Sequence, residues 1–170
     1  MTYFNSLLEL LGISENHPAA QMILTDFGNP FRDYNDVPMR IRFFADSGIS
    51  INYSIRRDRF SGFAFHYSSI LVRQGLMKPF REEIFDGIFP TATPSIVLSK
   101  FKNKPLMMGT VPAPKVCDDG ACGIGSTYQQ RFEHNVESLP PIHCSFIFEE
   151  EDGPLVFASL QIRNWDVASV

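Results

Sequence analysis

Apolar and polar positions alternate along this chain in two rhythms, and the switch between them marks its elements. Tyr3, Phe4, Leu7, Leu8, Leu10 and Leu11 recur at helical spacing, and Gly12 suits a helix end because it adopts left-handed geometry without penalty. Ser14 or Asn16 is placed to cap a second helix, Pro18 fits its first turn, and Ala19 to Phe27 carries helix formers and an apolar face until Gly28. From Met39 the period becomes two. Met39, Ile41 and Phe43 share one face and Arg40 and Arg42 the other, and Ile49, Ile51, Tyr53 and Ile55 repeat the alternation after Asp46-Ser47-Gly48, which predicts a hairpin. Phe60 to Tyr67 adds a third strand, with Phe63, Phe65 and Tyr67 on one face.

The same order returns later. Pro94 to Phe101 reads as a short helix before Lys104-Pro105, and His143 to Phe148 and Leu155 to Arg163 read as strands joined by Glu151-Asp152-Gly153. Tyr128 to Val136 alternates well enough to open this second sheet. Residues 68–90 read as a connector, with Phe80 to Phe85 resembling one helical turn. The stretch from Pro105 to Ser126 gathers Gly109, Pro112, Pro114, Gly120, Gly123 and Gly125 and is expected to be a loop.

These patterns predict an α+β protein of two similar halves, each a helix followed by an antiparallel hairpin, with helices packed on one face of antiparallel sheet. The whole chain, 1–170, is expected to be one domain holding two pseudo-repeats, 1–67 and 91–165. At 170 residues, 44% hydrophobic with sixteen Phe, the chain is long enough to bury a substantial core. A charged fraction of 20% excludes a solvated tail or a coiled coil.

Net charge narrows the partners. At −4 the chain lacks the clustered Lys and Arg that phosphate contacts require, and Arg56-Arg57-Asp58-Arg59 is short and interrupted, so it reads as a solvated turn between two strands, with a phosphate or acidic-partner contact as the alternative, and no nucleic-acid partner is expected. The opening Met1-Thr2-Tyr3-Phe4-Asn5 has no basic run, and Leu7 to Ile13 is broken by Glu9 and Gly12, so neither a signal peptide nor a membrane span is expected. Three cysteines, an odd number, fit a reducing, cytoplasmic setting.

The residue types that carry chemistry are few. Cys117 and Cys122 flank Asp118-Asp119-Gly120-Ala121, and Cys144 follows His143, so Cys117, Cys122, His143 and Cys144 could supply four zinc ligands by type. The spacing permits a metal without specifying one, and a Cys117–Cys122 disulfide or ordinary thiols remain alternatives; no cofactor is expected. Gly120 to Ser126 is glycine-rich but follows a proline-rich stretch and precedes a strand, the wrong context for a phosphate loop, so it reads as turn chemistry. Glu82-Glu83 and Glu149-Glu150-Glu151-Asp152 offer paired carboxylates without a sheltered cleft. The second run reads either as a solvated hairpin tip or as an acidic patch that steers a basic partner. His17 reads as a helix-start residue and His66 as a sheet-face residue.

Leu7-Leu8-Glu9-Leu10-Leu11-Gly12-Ile13-Ser14-Glu15-Asn16-His17-Pro18, followed by Phe27-Gly28-Asn29-Pro30, resembles the start of small bacterial proteins encoded beside secreted polymorphic toxins. The resemblance implies an immunity protein that binds a toxin delivered by contact-dependent or type VI secretion and blocks its active site or substrate entry. The doubled layout is also similar to the tandem repeat of beta-lactamase inhibitory proteins, whose concave sheet grips an enzyme. The second half departs from the pattern, having Asn103-Lys104-Pro105 where the first has Gly-x-Pro, and no binding residue is carried over.

The expected function is therefore inhibition of a cognate toxin, with a basic nuclease as the target class that an acidic surface suits, and no enzymatic activity of its own. Tyr53, Phe63, Phe65 and Tyr67 are the candidate anchors and Glu149, Glu150, Glu151 and Asp152 the steering charges. The same aromatics are core if helices cover their face. The alternative is a small enzyme, or a ligand- or metal-binding protein, that uses the Cys117 to Ser126 segment.

Overall fold

A computed structural model describes residues 3–36, 38–84, 87–117, 120–137 and 139–163; the side chains of 3–5, 36 and 114–122 lie outside the description. The chain runs α1 (Tyr3–Leu10), α2 (Pro18–Asp26), β1 (Arg32–Asp36), β2 (Met39–Phe44), β3 (Ile49–Ser54), β4 (Arg59–His66), α3 (Ile70–Arg73), α4 (Pro94–Lys100), β5 (Met107–Cys117), β6 (Gly120–His134), β7 (Ile142–Phe148) and β8 (Leu155–Ile162). All eight strands join one open antiparallel sheet in the order β1-β2-β3-β4-β8-β7-β6-β5. Two four-stranded meanders thus meet at β4 and β8.

The expectation of antiparallel sheet holds, but the helices do not all share one face, since α3 lies opposite α1, α2 and α4, and the chain is mostly β and is not two helix-and-hairpin copies. Each meander has four strands, and the first is preceded by two helices where the second has α4 alone. The expected loop at 105–126 is instead the long β5–β6 hairpin. Pro112 and Pro114 are tolerated there because β5 is a sheet edge, where the missing N–H groups face away from the ladder. Residues 80–84 form no helical turn, whereas Ile70–Arg73, inside the expected connector, does. His17 rather than Ser14 or Asn16 caps α2: its ring nitrogen accepts the Ala19 N–H at 3.2 Å, and Pro18 follows as the first helical residue.

The core lies between the helices and one face of the sheet. Leu7, Leu10 and Leu11 from the α1 segment, Ala20 and Phe27 from the α2 segment and Val97 of α4 pack on Phe44, Ile49, Ile51, Phe63, Phe65, Phe132, Cys144, Phe146, Phe148 and Leu160. Ring contacts fix the helices: Phe27 meets Phe44 edge-on at 5.7 Å, and Phe101, just after α4, stacks on Phe132 at 4.2 Å. Gly48 closes the β2–β3 turn at φ +70°, and a Cβ there would lie 2.5 Å from the Phe80 backbone nitrogen, so the connector packs directly onto the turn.

The β2 alternation is present with its polarity reversed. Arg40 and Arg42 register opposite Tyr53 and Ile51, on the helix-covered face, while Met39, Ile41 and Phe43 lie on the other. Glu15, between α1 and α2, accounts for this: its carboxylate pairs with both guanidiniums, and Asp33 of β1 also accepts from Arg42 at 3.1 Å. The charges are thereby held under the helix corner.

Candidate functional site

Because α1, α2 and α4 occupy one face of the sheet, the opposite face is left uncovered by those helices; its side chains on β2, β7 and β8 are half-buried, while Ser50, Ala64 and His66 on β3 and β4 are buried. Register assigns to it Tyr34 of β1, Met39, Ile41 and Phe43 of β2, Ser50 and Asn52 of β3, Ala64 and His66 of β4, Phe157, Ser159 and Gln161 of β8, His143, Ser145 and Ile147 of β7, and Gln129, Arg131 and Glu133 of β6. Small residues form its centre: Ser50, Ala64, Ser159 and Ser145 lie side by side on four adjacent strands, flanked by Phe43 on one side and Arg131 on the other.

The single turn of α3 sits at one end of this face. A groove of about 680 Å³ beside it is lined by Ile70, Leu71, Ile147, Val156 and Phe157 among others, and a smaller hollow of about 220 Å³ on its other side by Phe31, Tyr34, Phe43 and Leu71. His66 anchors this end. Its Nε2 lies 2.9 Å from Ser50 Oγ and its Nδ1 3.0 Å from Ser69 Oγ, while its ring meets Phe43 and Phe157. Burial pushes the imidazole down to about 4, so it is neutral at pH 7 and bonded at both nitrogens.

The opposite end is polar. Arg131 Nε donates to Ser145 Oγ at 3.1 Å, Arg163 pairs with Glu133 at 3.2 Å, and Gln161 reaches the Met39 sulfur. His143 Nε2 is buried without a hydrogen-bond partner among the described residues, and burial, then Arg131 and Arg163, lower the ring's pKa.

The anchors expected from sequence are elsewhere. Tyr53, Phe63, Phe65 and Tyr67 are buried, Phe63 and Phe65 at 0% exposure, so they are core side chains and not surface anchors. The reason is that α1, α2 and the connector cover their face: Phe80 packs on Phe65 and Tyr67, and Tyr53 donates to Asp58 beneath the Arg40 guanidinium. Burial, followed by that hydrogen bond, pushes the Tyr53 hydroxyl up to about 12. Glu149, Glu150, Glu151 and Asp152 form the exposed β7–β8 turn as expected, and Glu149 is ion-paired to Arg73 at 3.0 Å.

The four metal candidates are not brought together. Cys117 and Cys122 stand near the tip of the β5–β6 hairpin, their side chains outside the described residues. Cys122 is ten positions along β6 from Phe132, the neighbour of Cys144, which is on the order of 30 Å of strand. Cys144 and His143, being adjacent on β7, point to opposite faces. Cys144 is buried in the core, where desolvation raises its thiol well above the usual range and keeps it protonated. Among the described residues no three His, Cys, Asp or Glu side chains converge as metal ligands.

The uncovered face escaped sequence reasoning because a period of two says which residues share a face but not which face the helices take. The serines at its centre carry no signal of their own. Among the described residues no helix is long and apolar enough to cross a membrane. Comparison with known proteins finds no family model, no curated protein and no solved structure that matches the chain.

Proposed function

We propose that this chain is a non-enzymatic binding protein that inhibits a partner protein in the cytoplasm, in the manner of an immunity protein against a secreted toxin. The observation that carries the reading is the uncovered sheet face. Exposed Tyr34 of β1 and the half-buried apolar side chains of β2, β7 and β8 present a broad surface on the sheet, which suits one large protein contact. The resemblance of residues 7–30 to proteins encoded beside toxins gives the partner its class. The seat moves from the buried aromatics to Phe43, Ile147, Phe157 and their neighbours.

The test is inhibition. A toxin domain encoded beside this chain, purified and assayed for its own reaction, loses activity at one equivalent of the full chain under the proposal and keeps it if the proposal is wrong. A second reading, a small-ligand protein, draws on the groove beside α3, whose lining includes Gly125 and Ser126 at the end of the segment first suspected. A ligand-bound mass of the native protein, measured without denaturation, would favour that reading.

A further inference from the structure

The uncovered face carries a charge pattern opposite to that of the whole chain. Its described carboxylates are both engaged, Glu133 with Arg163 and Glu149 with Arg73. Its cations are not all engaged. Arg32, at the β1 end, makes no ion pair among the described residues, and the Arg131 side chain, at the β6 end, has among those residues only the Nε contact to Ser145, which leaves its terminal nitrogens as donors.

Six strand spacings separate β1 from β6, so Arg32 and Arg131 stand about 29 Å apart across the sheet, near the breadth of a standard protein interface. Between them lie half-buried Phe43, Ser159 and Ser145 and, beneath the surface, buried Ser50 and Ala64, none of them charged. A floor that is neutral with cations at its two ends does not follow a phosphate backbone, which needs closely spaced Lys and Arg. It matches a protein surface that is apolar at its centre and carries carboxylates at its margins.

We infer that the uncovered face seats an acidic, apolar segment of the partner protein, held at its margins by Arg32 and Arg131. The inference rests on the inhibitor reading and names the chemistry of its partner. It also reverses the charge expected of that partner, because the acidic β7–β8 turn lies at the rim and its Glu149 is already paired.

The test is selection of a displayed random twelve-residue peptide library on the full chain, with the enriched peptides titrated against two charge-reversed variants whose folding is checked by circular dichroism. Enriched peptides that combine Asp or Glu with Phe, Trp or Leu, and that bind R32E/R131E at least tenfold more weakly but E150K/E151K unchanged, support the inference. Basic peptides that depend on Glu150 and Glu151 would overturn it while leaving the inhibitor reading intact. Absence of any enriched peptide, or tighter binding of a single-stranded RNA twelve-mer that R32E/R131E abolishes, would overturn it too; the RNA result would remove the inhibitor reading with it.

Discussion

His66 Nε2 lies 2.9 Å from Ser50 Oγ, joining β4 to β3 beneath α3 on the otherwise uncovered face of the sheet. Ser69 Oγ lies 3.0 Å from the other ring nitrogen, and Phe43 and Phe157 pack against the ring; the serine hydroxyls can donate or accept, so burial rather than hydrogen bonding is what holds the imidazole neutral. No charged group is among these contacts, so desolvation alone sets its acidity.

That arrangement makes stability depend on pH. The folded pKa of His66 is about 4 against an unfolded value near 6.5, so between those limits the unfolded chain binds the extra proton. Stability is intact above about pH 6.5 and falls as pH drops toward 4, by up to about 3 kcal/mol from this group. Denaturant titrations of the wild type and His66→Gln from pH 7.5 to 4 should converge as the pH falls. Parallel curves would show that His66 does not contribute this dependence.

Glu15 is expected to matter more than its position in a surface corner suggests. It is the shared anion of Arg40 and Arg42 on the helix-covered face. Glu15→Gln should cost about 1–3 kcal/mol, whereas Glu150→Gln, at the exposed turn, should change stability by about 0.5 kcal/mol or less. Equal effects in chemical denaturation would contradict the assignment of Glu15 as the clamp between the α1–α2 corner and β2.

Phe132 is wholly buried, stacked under Phe101 at 4.2 Å with Phe146 on its flank. Phe132→Ala should lose about 3–5 kcal/mol through lost burial and the cavity it leaves. A loss below about 1 kcal/mol in equilibrium unfolding would mean that α4 and its following segment do not pack on β6 as described.

At Gly48 two constraints coincide, a φ of +70° and the backbone of Lys78 and Phe80 within 2.6 Å of any Cβ. Asn often relieves the first constraint but not the second. Gly48→Ala and Gly48→Asn should therefore both destabilise, by about 1–3 kcal/mol. Recovery of wild-type melting temperature in Gly48→Asn would show that the turn and the connector are not in contact.

What could be read from the sequence follows the physics of each strand's surroundings. The strands from Met39 to Tyr67 and from His143 to Arg163 alternate because one of their faces lies under helices, and that alternation is visible in the residues themselves. The edges were not readable. Arg32–Asp36 pairs on one side only and consists of charged and polar residues around Tyr34, and Met107–Cys117 is interrupted by Gly109, Pro112 and Pro114, which an edge strand accepts and an inner strand does not.

The site was hidden for a related reason. Arg40 and Arg42 look like solvent-facing residues until Glu15 is brought over them, and that contact spans 25 and 27 residues of sequence. With the arginines turned inward, Met39, Ile41 and Phe43 are turned out, and the surface offered to a partner becomes the reverse of the one that hydrophobicity alone selects. Tyr53, Phe63, Phe65 and Tyr67 share the arginines' face and are buried there by the helices and the connector.

The measurement that bears most directly on the uncovered face as a binding surface is paired capture from the native host. Wild type, Ser159→Arg at the centre of that face and Ser99→Arg on the exposed side of α4 serve as tagged baits, with co-purifying protein quantified by mass spectrometry. The account predicts one stoichiometric partner retained by wild type and by Ser99→Arg, and depleted at least tenfold by Ser159→Arg although that variant remains folded. Equal recovery by all three baits, or loss with Ser99→Arg alone, would contradict it.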